Sequence, residues 1–216
     1  MIRGATAAAV ALLATLGLSA CGGDGDETSA AKTVTADTMV DQSALVSNLV
    51  GNGGFTVGTE GWTISTPKDI SIDSTDEEAF EGDESLKIDA DAEKAPNEAA
   101  VATQTIATVP NTDEGTQYFL SVQAMSKDLS REVPVEVRVL YPDNSSDFYV
   151  AGPAGLTTGI PKDTEGKWVE LTALVVARKP IEQIDVYAFD SGVEKLTGSA
   201  WVDDIHLRQV EPGSKG

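Results

Sequence analysis

Alternation of apolar and polar residues is the feature that most constrains the fold of this 216-residue chain. Valine occupies every second position from Val133 to Val139, and two of the positions between them carry charged residues. The segments Tyr118–Met125 and Ile184–Ala188 show the same period of two. This period, in segments rich in β-branched residues, is typical of strands that bury one face.

Further strands are predicted where apolar segments lie between Gly, Pro, Asn and Asp residues that favour turns. These segments are Trp62–Ser65, Ile70–Asp73, Ser85–Asp89, Ala99–Ala107, Trp168–Ala177 and Ser199–Gln209. The segment 142–165 is expected to consist of loops, and no segment after residue 20 has a helical period. Short strands with regular turn punctuation predict an all-β chain, an antiparallel sandwich or barrel.

The first 20 residues are predicted to be a targeting signal. Arg3 is followed by an apolar segment, residues 5–18, that is too short to span a bilayer as a stable helix. The signal ends in Leu-Ser-Ala-Cys, which resembles the lipobox of bacterial lipoproteins. That resemblance implies cleavage before Cys21 and a diacylglycerol on its sulfur. The alternative is an ordinary secretory signal that contains a cysteine.

The remaining chain is expected to comprise a linker, one domain and a tail. Residues 21–43 begin with Gly and acidic residues, continue with Ser, Ala, Thr and Lys, and have no apolar period, which predicts a disordered acidic linker behind the lipidated cysteine. Residues 44–211 suffice for one β-sandwich domain, and 212–216 form a short tail. The expected location is outside the cytoplasm, with the acyl chains as the only membrane contact.

Charge limits the partners. The chain has 15 basic and 35 acidic residues, a formal net charge of −20. Nucleic acid is therefore excluded as a natural partner, because phosphate binding needs clustered Lys and Arg. The same charge disfavours direct contact with anionic lipid.

Six segments of the chain resemble, in their order and spacing, the cellulase-type carbohydrate-binding modules. Two lie near the ends of the predicted domain, and four lie between them. The six segments are Asn48–Phe55, Phe80–Ile88, Ala102–Ile106, Gly115–Ser121, Gly166–Leu171 and Trp201–Leu207. The resemblance covers most of residues 46–208 and implies a galactose-binding-like jelly roll. This fold also occurs in adhesive, receptor-like and spacer domains, so the resemblance alone does not assign a ligand.

The resemblance also implies a structural calcium ion between the first and last strands. Its expected ligands are Asp203 and backbone carbonyls near Thr56 and the Glu81-Gly82-Asp83 turn. Asp203 shares its strand parity with Ile205, so its carboxylate is expected to point toward the core, where it needs a cation, a proton or hydrogen bonds. The family usually has Glu where this chain has Thr56. Without a metal, Asp203 would accept backbone N–H bonds.

Polar and aromatic residues on the strand parity opposite the core are candidates for glycan contacts. A sugar is held by an aromatic ring against its C–H face and by polar side chains at its hydroxyls. The alternative is an ordinary solvated sheet face. The candidate contacts are Gln123, Arg138, Tyr149 and Tyr187, with Glu136 and the rim residue Phe148 beside them.

Catalysis finds little support in the sequence. The only histidine, His206, is expected to be a surface residue, and none of the familiar catalytic motifs is present. We therefore expect a non-enzymatic, surface-anchored lipoprotein that binds glycan or cell-wall polysaccharide. The alternative is a structural module, or one that binds a surface protein, with no sugar site; a hydrolase ranks last.

Overall fold

The computed structural model describes residues 47–211, and these residues form strands and loops with no helix among them. None of this range could cross a membrane as a helix. The predicted signal peptide, Cys21, the linker and the 212–216 tail lie outside the described residues. The strands are β1 (Thr63–Ser65), β2 (Ile70–Thr75), β3 (Ser85–Ala92), β4 (Val101–Thr105), β5 (Gln117–Lys127), β6 (Glu136–Leu140), β7 (Ser146–Val150), β8 (Gly152–Pro153), β9 (Val169–Val176), β10 (Gln183–Asp190) and β11 (Leu196–Gln209).

The strands form two antiparallel sheets. One has five strands in the order β1-β4-β10-β6-β7, and the other has six in the order β2-β3-β11-β5-β9-β8. Alternate side chains of both sheets meet in one apolar core, to which Leu120, Val137 and Val202 contribute fully buried side chains. The predicted antiparallel sandwich is confirmed, because the period of two places one set of residues of each strand between the sheets.

Two strands were not predicted from the sequence. Strands β7 and β8 lie inside the segment 142–165, which was expected to consist of loops. Strand β7 forms a hairpin with β6, in which Leu140 pairs with Ser146 across a short turn. Both strands lie at sheet edges, where fewer neighbours demand apolar residues, so the segment lacks the signal that marked the central strands.

The two ends of the domain close against each other. The backbone N–H of Leu49 donates to the carbonyl of Leu207 (2.8 Å), and the N–H of Ile205 donates to the carbonyl of Gly53 (3.0 Å). The Asn48 side chain accepts from Leu207 N–H (2.9 Å) and donates to Ile205 O (3.1 Å). The segment that begins the domain therefore lies against the last strand.

A side chain on β4 holds the same segment from the other sheet. Gln104 accepts from the N–H of Gly51 (2.7 Å) and donates to the carbonyls of Gly51 (2.8 Å) and Gly61 (3.2 Å). Because Gln104 is buried on the inner face of β4, these bonds satisfy an amide that would otherwise be costly in the core.

A β-bulge interrupts β11. The register with β5 shifts between Asp203 and His206, and Asp204 has a φ of 49°. Before the bulge Val202 faces the core, and after it Ile205 does, so the inward parity changes within three residues. The expectation that Asp203 shares a face with Ile205 is therefore wrong: Asp203 follows the outward parity of Trp201 and is buried beneath a loop instead.

Candidate functional site

The outer face of the five-stranded sheet carries two of the four predicted ligand contacts, Arg138 and Tyr187. Tyr187 of β10 lies between Thr103 of β4 and Glu136 of β6, and Arg138 is the second outward residue of β6. These strands are neighbours because the sheet order places β10 at the centre. Tyr187, Arg138 and Glu136 therefore occupy one face, as the strand parity predicted.

The next row of this face is organised by Asp185. Its Oδ1 accepts hydrogen bonds from Thr105 Oγ1 (2.7 Å) and Gln183 Nε2 (2.8 Å). Its Oδ2 lies 3.6 Å from Arg138 Nε, an ion pair across neighbouring strands. Asp185 is only 5% exposed, so this carboxylate acts as a fixed anchor that orients the Arg138 guanidinium.

Glu136 is a buried acid on an outward-facing position. It is 8% exposed, and burial together with the charge of Asp190 raises the pKa of its carboxyl from 4.5 to about 7. A carboxyl with this pKa exists in both protonation states near neutral pH. It therefore can either donate to or accept from a hydroxyl group that approaches Tyr187.

Two polar atoms on this face have no hydrogen-bond partner within residues 47–211. They are Oγ1 of Thr103 and Nε of Arg138, and both are buried. Arg138 Nε faces the Asp185 carboxylate at 3.6 Å, just beyond hydrogen-bond length. Because buried polar atoms are nearly always paired, Thr103 Oγ1 is the candidate for a bond to an added ligand or water. Phe148 of β7 stands opposite Arg138 at the edge of the sheet and is 55% exposed. Its ring gives the face an apolar rim.

Tyr149 does not belong to this face. It pairs with Val137, whose side chain is in the core, and it packs against that core. Its hydroxyl donates to the carbonyl of Val176 on β9, in the opposite sheet. Tyr149 therefore ties the two sheets together, and the aromatic residue that β7 presents outward is Phe148. The sequence did contain a signal for the orientation of Phe148 and Tyr149. The hairpin turn at Pro142-Asp143-Asn144 sets the register of β7 against β6.

Gln123 is also separated from the other candidates. It lies on β5 of the six-stranded sheet, between Asp203 of β11 and Glu170 of β9. The outward parity of Gln123 was predicted from the sequence, but β5 and β10 belong to different sheets. Gln123 and Tyr187 therefore lie on opposite outer surfaces of the sandwich, and one ligand does not contact both.

Asp203 holds a loop over the six-stranded sheet. Its Oδ2 accepts from the backbone N–H groups of Phe80 (2.9 Å) and Glu81 (3.0 Å), and its Oδ1 accepts from Asp204 N–H (2.7 Å). Burial raises the pKa of the Asp203 carboxyl, while these three donors act in the opposite direction. The carboxylate is thus satisfied by backbone donors, the arrangement expected in the absence of a metal.

Backbone segments that were predicted to supply calcium ligands pass close to this aspartate. Gly54 lies next to its Oδ1, and Gly82 of the 81–83 turn lies next to Thr56. Glu84, the residue before β3, has a buried Oε2 with no hydrogen-bond partner in the described range. Hard oxygen donors of this kind fit Ca²⁺. Within residues 47–211 no three His, Cys, Asp or Glu side chains form a metal-binding group, so an ion here would rely on carbonyls.

His206 is engaged through both ring nitrogens. Its Nε2 lies 2.6 Å from Asp204 Oδ1, and its Nδ1 lies 3.2 Å from Arg208 Nη2. Because a guanidinium only donates, His206 Nδ1 accepts a hydrogen bond from Arg208. The ring proton is therefore assigned to Nε2, which donates a hydrogen bond to Asp204. This geometry suits a residue that orders the outer surface of β11, and it leaves no ring nitrogen pointed at a substrate.

Comparison with known proteins identifies the fold. It finds no close relative in sequence. No protein-family model matches the chain, and no curated protein matches it. The tandem CBM22-1–CBM22-2 domain of Paenibacillus barcinonensis Xyn10C is similar over 82% of this chain and 50% of its own, with 14% identity and a TM-score of 0.55. The C-terminal family 22 carbohydrate-binding module of Clostridium thermocellum Xyn10B aligns over 82% and 99%, with 14% identity and a TM-score of 0.50.

A third similar structure is the enzymatically active domain of tailspike protein 4 of bacteriophage CBA120. It aligns over 76% of this chain and 21% of its own, with 17% identity and a TM-score of 0.52. At these identities the similarity concerns the fold. The chain adopts the antiparallel jelly-roll β-sandwich found in carbohydrate-binding modules.

Proposed function

We propose that this protein is a surface-anchored lipoprotein whose single β-sandwich binds glycan or cell-wall polysaccharide without cleaving it. The observation that carries the proposal is the outer face of the five-stranded sheet. There Tyr187 supplies a ring, and Arg138 and Glu136 supply hydrogen-bonding groups held in place by their neighbours. The buried Oγ1 of Thr103, which has no hydrogen-bond partner within residues 47–211, favours an added ligand on the same face.

The similar structures support a glycan as the first ligand to test. One of them, with a TM-score of 0.50 and 14% identity, is described as a xylan-binding domain of CBM family 22. Xylan is therefore a suitable first probe, followed by other polysaccharides and isolated cell wall. The engaged ring of His206 favours a non-catalytic role.

The test is retention on insoluble polysaccharides, followed by affinity measurement on any that retain the protein. Tyr187→Ala should abolish retention, because loss of a stacking ring removes both apolar contact and orientation. Arg138→Ala should weaken it at least tenfold, and Gln123→Ala, on the opposite sheet, should leave it unchanged. Absence of retention on every polysaccharide would reject the sugar-binding role.

The rival function is a structural or protein-interaction module at the cell surface. It is favoured by the low aromatic content, 6% of residues, and by the exposure of Phe148 on edge strand β7 (55%) and of Leu156 in the loop after edge strand β8 (60%). Exposed apolar side chains at a sheet edge are typical of protein contacts. Cross-linking on intact cells that depends on Leu156 and not on Tyr187 would support this rival.

We also propose a structural calcium ion at Asp203, with the backbone carbonyl of Thr56 among its ligands. The backbone of Glu81 and of Gly54, which lies beside the Asp203 carboxylate, supports it. Thermal melting in calcium and in excess chelator is the test: binding to the folded state alone raises the midpoint as calcium increases. Equal melting midpoints in calcium and in chelator would contradict the proposed calcium ion.

The anchor is proposed from the Leu-Ser-Ala-Cys sequence, with Cys21 as the acylated residue. A fatty-acid analogue should label the wild type, and globomycin should block processing. Cys21→Ser should abolish labelling and release the protein from the membrane fraction. Labelling that persists in Cys21→Ser would contradict the proposal.

A further inference from the structure

Strand β7 forms one edge of the five-stranded sheet, and its outer side pairs with no other strand within residues 47–211. The N–H of Ala151, the residue after β7, donates to the carbonyl of Val135, the residue before β6 (2.8 Å). Because the backbone bonds of an antiparallel ladder involve every second residue, Asp147 and Tyr149 also bond β6. The N–H and carbonyl groups that point away from the sheet are those of Ser146, Phe148 and Val150.

The outer side of β7 lacks the features that usually keep an edge strand single. Edge strands are protected by Lys, by Pro, by a bulge or by a covering segment. The sequence of β7, Ser-Asp-Phe-Tyr-Val, has neither Lys nor Pro, and β7 pairs with β6 without a register shift. A groove of about 440 Å³ lies against residues 148–150, with Gly155 and Thr157 of the loop after β8 and Ala173 and Leu174 of β9 as its other walls. The edge is therefore open to a further strand.

The other three edge strands of the described sheets are shorter or already engaged. Strand β1 has three residues, and β8 has two, of which Pro153 has no N–H to donate. On β2, the N–H of Ile70 donates to the carbonyl of Pro67 (3.4 Å), and the N–H of Ser74 donates to the side chain of Asp73 (3.0 Å). Strand β7 is therefore the described edge best suited to pairing with another strand.

The surface around β7 has no net charge, although the chain carries −20. Residues 143–161 contain two charged side chains, and each is neutralised by an ion pair. These pairs are Asp143 with Lys179 (2.6 Å) and Asp147 with Arg178. Residues 68–84, which contain edge strand β2 and the loop after it, carry instead eight acids and one lysine. Two copies of so acidic a chain repel one another, and β7 is an edge at which they can meet without local repulsion.

The outward groups of β7 match those of a second β7 in the antiparallel direction. If Phe148 lies opposite Phe148 of the second copy, Ser146 lies opposite Val150, and all outward N–H and carbonyl groups of these three residues are bonded. The two Phe148 side chains, each 55% exposed in the single chain, then lie side by side on one face. This register has two-fold symmetry, so a second copy satisfies it without any other protein.

We propose that this protein forms a reversible two-fold dimer in which the β7 strands of two copies pair antiparallel, with Phe148 at the axis. The two five-stranded sheets then form one continuous sheet. Strand β7 has five residues, far fewer than the roughly 20–30 residues a side of a stable interface, so the dimer belongs to the weak, transient class.

The dimer has a consequence for the proposed glycan face. An axis that pairs antiparallel strands within one sheet is perpendicular to that sheet, so both Tyr187 side chains lie on the same side. The sheet order places five strand spacings, about 24 Å, between the two β10 strands. This consequence rests on the proposed function: a polysaccharide that contacts both faces gains affinity from the second contact. The dimer itself does not, and the tests below use no polysaccharide.

Sedimentation equilibrium tests the association. The sample is the chain that begins at residue 22, which keeps every described residue, and it should dimerise reversibly at concentrations up to about 1 mM. Phe148→Lys should weaken dimerisation about tenfold or more, because two like charges then face each other at the axis. Val57→Lys makes the same charge change at a residue of similar exposure, 58%, and should leave dimerisation unchanged.

Two outcomes of sedimentation would overturn the proposal. A wild type that stays monomeric at about 1 mM would leave the β7 edge to a strand of another protein. Equal effects of Phe148→Lys and Val57→Lys would show that association occurs at another surface.

Disulfide trapping tests the register. The chain that begins at residue 22 lacks Cys21, the only cysteine, so each variant carries a single thiol. Phe148→Cys should cross-link to a dimer under mild oxidation, because the Cα atoms of opposite bonded residues lie about 5.5 Å apart, within the range of a disulfide. Ser146→Cys lies about 14 Å from its counterpart along the strand and should cross-link little. Equal cross-linking of the two variants would contradict the pairing at Phe148.

Discussion

At Gly53 the hydrogen that replaces a side chain faces the carbonyl oxygen of Ile205, and a Cβ would lie 2.2 Å from that oxygen. The neighbouring backbone cannot retreat, because Ile205 N–H donates to the Gly53 carbonyl at 3.0 Å. We therefore expect Gly53→Ala to lower the free energy of unfolding by about 3 kcal/mol, the upper range for overpacking. Urea denaturation followed by tryptophan fluorescence measures it.

Gly51 supplies the matched control two residues earlier. Its Cβ would lie 3.7 Å from Gln104 Oε1, an ordinary contact, and its φ is not in the left-handed region. Gly51→Ala should therefore change the unfolding free energy by less than about 1 kcal/mol. Equal stabilities of the two variants would show that β11 moves away from the first segment at little cost.

Glu136 makes stability depend on pH in a defined direction. Burial and the charge of Asp190 raise the pKa of its carboxyl from 4.5 to about 7 in the folded state. Between these values the folded chain binds more protons than the unfolded chain, so stability falls as pH rises. The contribution is on the order of 3 kcal/mol at most, since each pKa unit corresponds to about 1.4 kcal/mol.

Glu136→Gln isolates this effect, because it keeps the shape of the side chain and removes its titration. Relative to this variant, the wild type should lose stability as the pH rises from about 4.5 to about 7, and the difference should change little above about pH 8. Urea denaturation across this range measures it. A stability difference between the two proteins that stays constant with pH would contradict the raised pKa.

At the scale of elements, Asp185 joins the three central strands of the five-stranded sheet. It bonds Thr105 of β4 and pairs with Arg138 of β6 from its own position on β10. Asp185→Ala should destabilise the domain by about 3 kcal/mol, because it leaves the partly buried guanidinium without its carboxylate. Adding Arg138→Met should recover part of this loss. A double-mutant cycle in urea measures the coupling, and additive losses would contradict it.

The alternation of apolar and polar residues predicted which face of its sheet a side chain occupies better than it predicted which strands are neighbours. The period of two along β6 and β10 correctly placed Arg138 and Tyr187 outward. It could not place Gln123, since parity does not reveal which sheet a strand joins. It also could not locate the bulge at Asp204, because a residue at positive φ in mid-strand changes parity without a glycine to mark it. Edge strand β7 was missed because its sequence, Ser-Asp-Phe-Tyr-Val, does not alternate between polar and apolar residues.

At the scale of the whole molecule, the family resemblance identified the two segments that close the sandwich. Asn48 and Leu49 bond β11, and Phe55 packs against Trp62 with ring centroids 5.6 Å apart. The resemblance could not assign the ligand, since the surface that binds is composed of side chains that differ within one fold.

The closing segment should be required for cooperative folding. A chain that begins at residue 44 should melt with the same midpoint as one that begins at residue 22, whereas a chain that begins at Val57 should lose its cooperative transition. The shorter chain lacks the buried side chains of Val50 and Phe55, each of which contributes about 1.5–3 kcal/mol, together with the bonds of Asn48. That loss is comparable to the 5–15 kcal/mol that holds a typical domain folded. Calorimetry and near-ultraviolet circular dichroism distinguish the chains, and an unchanged melting midpoint for the chain that begins at Val57 would show that the sandwich closes without its first segment.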